Sequence, residues 1–185
     1  MRLFVAINFP ETLRRGLWSA TESLRAGGLP VRWVQPDAMH VTLKFLGEVA
    51  DDRQKELAAA LDRATASSRA VTVTVAEFGA FPDPRRPRVV WAGVSPEPGL
   101  ELLQHRVEQE FGPLGFPPDG RPFRPHLTLG RAERDARASA FRDLENLLGG
   151  VAFAETVTVA SLELMRSLPT RGGAHYQPVS SGRLS

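Results

Sequence analysis

The sequence predicts an α+β fold built by duplication, with two lobes related by a pseudo-twofold. Two observations lead there. The tetrapeptide His40-Val41-Thr42-Leu43 returns as His126-Leu127-Thr128-Leu129, and the order of strands and helices around the first copy is followed by much the same order around the second. The length of 185 residues suits one domain of two small lobes, spanning residues 1–185, on a shared core.

The elements follow in order. Met1 to Ile7 reads as a first strand that runs straight into Asn8 and Pro10, too short for a signal segment. Pro10 to Arg25 is expected as a helix, with Leu13, Leu17 and Leu24 on one stripe and Gly27-Gly28 and Pro30 as its stop. Val31 to Val34 is a short strand. The first His-Thr strand runs to Leu46, and Gly47 closes it. Asp51-Asp52 opens a second helix carrying Leu57 and Leu61 inward. Ala70 to Phe78 alternates through Val71, Val73 and Val75, as a half-exposed strand does. Phe81 to Pro87 is a loop, Arg88 to Val94 a strand, and Leu100 to Phe111 a helix opened by Pro96, Pro98 and Gly99. A Gly/Pro-rich, mobile connection from Gly112 to Pro122 leads to the second His-Thr strand. A helix near Glu133 to Leu148 ends at Gly149-Gly150. Strands over Val151 to Ala160, Ser161 to Ser167 and His175 to Val179 complete the chain, with a turn from Pro169 to Gly173.

Each tetrapeptide is apolar at its second and fourth positions. On a strand the His and Thr then share one face and two aliphatic side chains lie behind them. Two such strands bring two imidazoles and two hydroxyls to one cleft. Phosphodiester chemistry without a metal needs that set: one imidazole takes a proton, the other gives one, and the hydroxyls hold the non-bridging oxygens. The plain alternative is two half-buried strands that each carry a satisfied histidine.

Composition excludes several classes. No apolar run is long enough for a transmembrane helix. With no cysteine there is no disulfide, thiolate nucleophile or zinc-cysteine site, and a cytoplasmic location is the simplest expectation. A net charge of +2 does not imply a broad nucleic-acid surface. Lys44 and Lys55, the two lysines, lack the context of a nucleotidyl-transferring K-x-D-G motif, and no G-K-[ST] phosphate loop occurs. Neither motif carries an adjacent carboxylate ligand, so no metal or other cofactor is expected.

The flanks resemble a known family. Phe4-Val5-Ala6-Ile7, Trp33-Val34 and His40-Val41-Thr42-Leu43-Lys44-Phe45-Leu46-Gly47-Glu48 are similar to the first half of the bacterial and archaeal 2'-5' RNA ligases, also called RNA 2',3'-cyclic phosphodiesterases, of the two-histidine phosphoesterase superfamily. The second half carries Pro87 to Val94, Arg121 to Arg131 and Gly173-Ala174-His175-Tyr176. The resemblance implies a bilobal fold in which two antiparallel sheets form a central cleft with helices outside. It implies opening of a terminal 2',3'-cyclic phosphate of RNA to a 2'-phosphate, with reversible 2'-5' joining. It places the catalytic histidines on His40 and His126, the phosphate-binding groups on Thr42, Thr128 and Arg131, and an aromatic on Phe45. RNA with a cyclic phosphate end is the expected partner, with no membrane, no obligate protein partner and a monomer.

Some residues carry two readings. Strand parity sets Phe45 opposite His40 and Thr42, toward the core, whereas the resemblance implies base stacking; a bulge would reconcile them. Lys44 shares the parity of Thr42 and is either a substrate contact or a solvated strand end. Arg124 shares the parity of His126 and meets either RNA or solvent. Arg131 is otherwise a surface arginine. His105 is expected to be solvated, His175 has no assigned chemistry, and Trp33 and Trp91 are expected in the core. Two other functions stay open: a related enzyme acting on a small cyclic phosphate, and a module that binds nucleotides or RNA ends without turnover.

Overall fold

A computed structural model describes residues 1–171 and 173–185. Among the described residues, nine strands form one antiparallel sheet: β1 (Arg2–Asn8), β2 (Val31–Trp33), β3 (His40–Glu48), β4 (Val71–Phe81), β5 (Val89–Val94), β6 (His126–Ala132), β7 (Ala154–Val159), β8 (Ser161–Thr170) and β9 (Gly173–Arg183). The helices are α1 (Glu11–Ala20), α2 (Glu22–Ala26), α3 (Gln54–Ala66), α4 (Pro98–Phe111) and α5 (Leu144–Gly149). The strand order is β7-β4-β5-β6-β3-β1-β8-β9, with β2 also paired to β6.

The duplication is visible in this order. β1 leads through α1 and α2 to β3, its neighbour, and β5 leads through α4 to β6, its neighbour. The two antiparallel sheets expected of such a fold are halves of one sheet here. They meet where Val41 of β3 pairs with Leu127 of β6, the point about which the halves are related.

β1 explains how this sheet divides its apolar surface. Leu3, Val5 and Ile7 join the main core, together with Leu13 and Leu17 of α1, Leu57 and Leu61 of α3, and Leu103 and Val107 of α4. The alternate residues Phe4 and Ala6 face the other way, with Met165 and Tyr176, in a small second cluster. One face of the sheet is thus covered by helices, and the other is left open around β3 and β6.

Three segments depart from the periodicity. The expected helix over Pro10 to Arg25 is broken at Thr21, whose hydroxyl donates to the Leu17 carbonyl at 2.8 Å. The helix expected from Glu133 begins only at Leu144, after a 3-10 turn over Ala138–Phe141. Glu133 is instead held by its amide to Pro30 O at 2.9 Å, and Phe141 is the first apolar anchor beyond it. β8 and β9 extend past the expected turn at Pro169 to Gly173, to Thr170 and from Gly173; Gly172 lies outside the described residues. Among the described residues no helix is long and apolar enough to cross a membrane.

Leu127 is fully buried beneath the junction of the halves. Leu127→Ala is expected to cost about 2–5 kcal/mol, measured as the shift in a chemical-denaturation midpoint with unchanged m-value.

Candidate active site

The register at the junction arranges the two motifs. Val41 opposite Leu127 in antiparallel pairing sets His40 against Thr128 and Thr42 against His126. The apolar partners point into the core, fully buried, and the four polar side chains stand half-buried on the open face. Side chains paired this way start about 5 Å apart. The two histidines therefore occupy one diagonal of a four-cornered site and the two threonines the other.

Both histidines are oriented by the same device. The Nδ1–H of His40 donates to the carbonyl of Ala38 at 2.9 Å, and that of His126 to the carbonyl of Arg124 at 2.8 Å. A carbonyl only accepts, so Nδ1 carries the proton and Nε2 is left for chemistry. Rings pack against each imidazole. Phe4 and Tyr176 lie with centroids 4.8 Å from His40, Tyr176 edge-on, and Phe81 meets His126 edge-on at 5.1 Å. Burial pushes the pKa of both imidazoles below the usual histidine range. The carbonyl partners oppose that shift. The Arg131 charge adds to it at both rings, and the charge of His126 adds to it at His40. Neither threonine hydroxyl bonds to protein among the described residues, so both can donate outward.

A β-bulge follows each motif at the same place. Ala6 pairs with Thr42 and Val5 with Lys44, leaving Leu43 as the extra residue; Trp91 pairs with Thr128 and Val90 with Gly130, leaving Leu129 extra. Each bulge turns two successive residues inward, Leu43 and Lys44 in one copy and Leu129 and Gly130 in the other. It returns the following residue to the histidine face. Phe45 and Arg131 consequently occupy equivalent positions, and both are exposed, Phe45 at 70%.

This corrects two expectations from parity. Phe45 does not enter the core; it stands on the same face as His40 and Thr42. Lys44 is not a solvated strand end, though it borders the open space beside the motifs. The bulge buries it, and its ammonium pairs with Glu108 of α4 and donates to Pro117 O at 3.0 Å. The second copy has glycine there, because Val31 and Trp33 of the crossing strand β2 fill the space a Cβ would take.

A cleft of about 1170 Å³ opens beside the motifs. Thr42, Phe45, His126 and Arg124 line it, with Gln104 and Glu108 of α4 on the far wall. The connection from 112 to 122, expected to be mobile, is tied to the body by Lys44 at Pro117 and by Arg53, which donates to Leu114 O at 2.8 Å. His105 is exposed on α4. Trp33 packs partly buried against the core, but Trp91 lies on the open face next to Thr128, against Phe81 at 5.2 Å, with its Nε1–H buried and without an acceptor among the described residues. Phe4 and Tyr176 enter the sequence reading only through the family resemblance, and Phe81 only as a loop residue; that all three pack on the histidines carries no signal until the strand register is known. Among the described residues no group of three or more His, Asp or Glu side chains is placed to hold a metal ion.

Comparison with known proteins gives consistent likenesses. Residues 14–171 match the model of the 2'-5' RNA ligase superfamily. The chain is 30% identical to an RNA 2',3'-cyclic phosphodiesterase of Methanothermobacter thermautotrophicus, covering 100% of this chain and 99% of that one. It is 34% identical to the Aeropyrum pernix protein of the same name, covering 88% and 95%. Among solved structures, a Thermus thermophilus protein superposes with TM-score 0.82 at 26% identity, covering 100% and 98%. Escherichia coli LigT in complex with 3'-AMP superposes with TM-score 0.75 at 29% identity, also covering 100% and 98%.

The Lys44–Glu108 pair yields a test. Lys44→Met leaves the nearly buried Glu108 carboxylate with the Gln104 amide, at 3.0 Å, but no counter-charge, and is expected to cost about 3–5 kcal/mol. The double variant Lys44→Met/Glu108→Leu should recover most of that loss, both read by denaturant unfolding.

Proposed function

Because the chain belongs to the 2'-5' RNA ligase superfamily, we propose that it is an RNA 2',3'-cyclic phosphodiesterase working by metal-independent acid–base catalysis with His40 and His126. The observation that carries this reading is the diagonal arrangement of two imidazoles, each with Nδ1 fixed by a carbonyl and Nε2 free. In-line displacement at phosphorus needs a base and an acid on opposite sides of the phosphate, with donors between them for the non-bridging oxygens.

In the proposed reaction His126 Nε2 takes a proton from water as the water oxygen bonds to phosphorus. The bond from phosphorus to O3' breaks, and His40 delivers the Nε2 proton to that oxygen. The product is a 2'-phosphate and a free 3'-hydroxyl. Thr42 and Thr128 donate to the non-bridging oxygens as their charge grows, and Arg131 adds a fixed cation. Phe45 and Arg124, which line the cleft, are placed for the terminal base and the strand behind it. When a 5'-hydroxyl takes the place of water, the same proton transfers form a 2'-5' phosphodiester without a nucleotide cofactor.

Product analysis on a short RNA ending in a 2',3'-cyclic phosphate, run in EDTA, tests this directly. Wild type is expected to give the 2'-phosphate. His40→Ala and His126→Ala should each lose about 10²–10⁴-fold in rate, and Thr42→Val or Thr128→Val about 10²–10³-fold. Binding without turnover in wild type would overturn the assignment as an enzyme, and a 3'-phosphate product would overturn the choice of leaving oxygen.

The depressed histidines set the pH dependence. The base must be neutral, which burial favours, and the acid must be protonated, which burial opposes. The free enzyme should therefore show a bell-shaped kcat/KM centred on the acid side of about 6.5. Bound phosphate carries negative charge that favours imidazolium, so the kcat profile should lie at higher pH. Flat profiles between about pH 5 and 8 would contradict two titrating histidines.

A further inference from the structure

β2 brings a second arginine to the site. Arg32 pairs directly opposite Arg131, so the two guanidinium groups project from neighbouring strands on the same face. Both side chains are exposed, and among the described residues no carboxylate forms a salt bridge with either. Glu133, just beyond β6, is held there by its amide to Pro30, yet its carboxylate pairs with neither arginine.

The backbone fixes this juxtaposition. Val34 donates to Leu129 O at 2.8 Å, and Gly130 lets Val31 and Trp33 of β2 pack close against β6. The strands cannot separate to relieve the repulsion without giving up those contacts. Like charges directly opposed on a sheet cost stability, and an anion shared by two planar guanidinium forks offsets that cost. The Arg131 charge is felt at both imidazoles, so Arg131 lies within electrostatic reach of the reacting phosphate, and Arg32 stands directly beside it. Arg131 is nevertheless outside the lining of the cleft that holds Phe45 and Arg124.

We propose that Arg32 and Arg131 form a second anion subsite that takes a phosphate group one nucleotide away from the phosphate on the histidines. The identity of that group, the 5'-phosphate of the terminal nucleotide, rests on the function proposed above. A ligand with phosphates at both its 2' and 5' positions spans the two subsites; one with a 2'-phosphate alone fills only the first.

Calorimetric binding of adenosine 2',5'-bisphosphate and adenosine 2'-monophosphate tests this without requiring turnover. Wild type should prefer the bisphosphate by roughly tenfold, the range of one added hydrogen bond between charged groups, and the preference should shrink as salt rises. Arg32→Gln should bring the ratio close to one, and Arg32→Lys should keep part of it. Thermal unfolding in low-salt, phosphate-free buffer should show Arg32→Gln at least as stable as wild type, since one of two opposed cations is gone. Equal affinities in wild type, or an undiminished ratio in Arg32→Gln, would overturn the subsite. If the bisphosphate preference depends on Arg32 while no cyclic phosphate is opened, the subsite stands and the catalytic reading falls.

Discussion

The pairing of Val41 with Leu127 is the constraint on which the site rests. It joins the two halves of the sheet, and it fixes the diagonal of the histidines. A slip of one residue would turn one motif's His and Thr into the core and its aliphatic residues to solvent. That penalty is steep, because Val41 and Leu127 are fully buried. The burial that stabilises the junction therefore also specifies how the two histidines and two threonines are arranged.

Each motif then positions itself by local means. The carbonyl that holds Nδ1 lies two residues upstream in both copies. The bulge falls on the residue after the threonine in both. Short-range devices of this kind survive duplication intact, whereas the elements around them diverge. The bulge also explains why a lysine in a strand with alternating burial ends up inside the protein, with Glu108 as the counter-charge that lets it stay there.

Much of this was legible in the sequence. The strands, most of the helices and the two His-Thr motifs follow from periodicity and punctuation, and the shared face of His and Thr follows from parity alone. What parity could not supply was its own interruption. An extra residue at Leu43 or Leu129 leaves no compositional mark, so the side on which Phe45, Lys44 and Arg131 emerge depends on pairing with β1 and β5. Contacts between sequence-distant strands were equally silent. Arg32 reads as one more arginine in an arginine-rich chain until β2 is seen beside β6, and Tyr176 reads as a tail residue until β9 folds it onto His40. The helix expected from Glu133 starts late because no apolar side chain is buried beyond Glu133 before Phe141, so the segment between forms only a turn, closed by the Ala136 amide on Glu133 O, with nothing to anchor a helical face.

The matching bulges leave a site that is nearly indifferent to direction. Histidine, threonine, carbonyl anchor and bulge look the same from either lobe. A nucleic-acid strand is not symmetric, and something must tell its two ends apart. The two copies differ at the position the bulge turns outward: an aromatic ring in one lobe, a guanidinium in the other. One end of the site offers a flat apolar surface suited to a base, and the other offers charge suited to a backbone. Under the proposed function, this divergent position in a duplicated strand helps to encode the polarity of the bound strand, and exchanging those two side chains would ask the protein to read its substrate backwards.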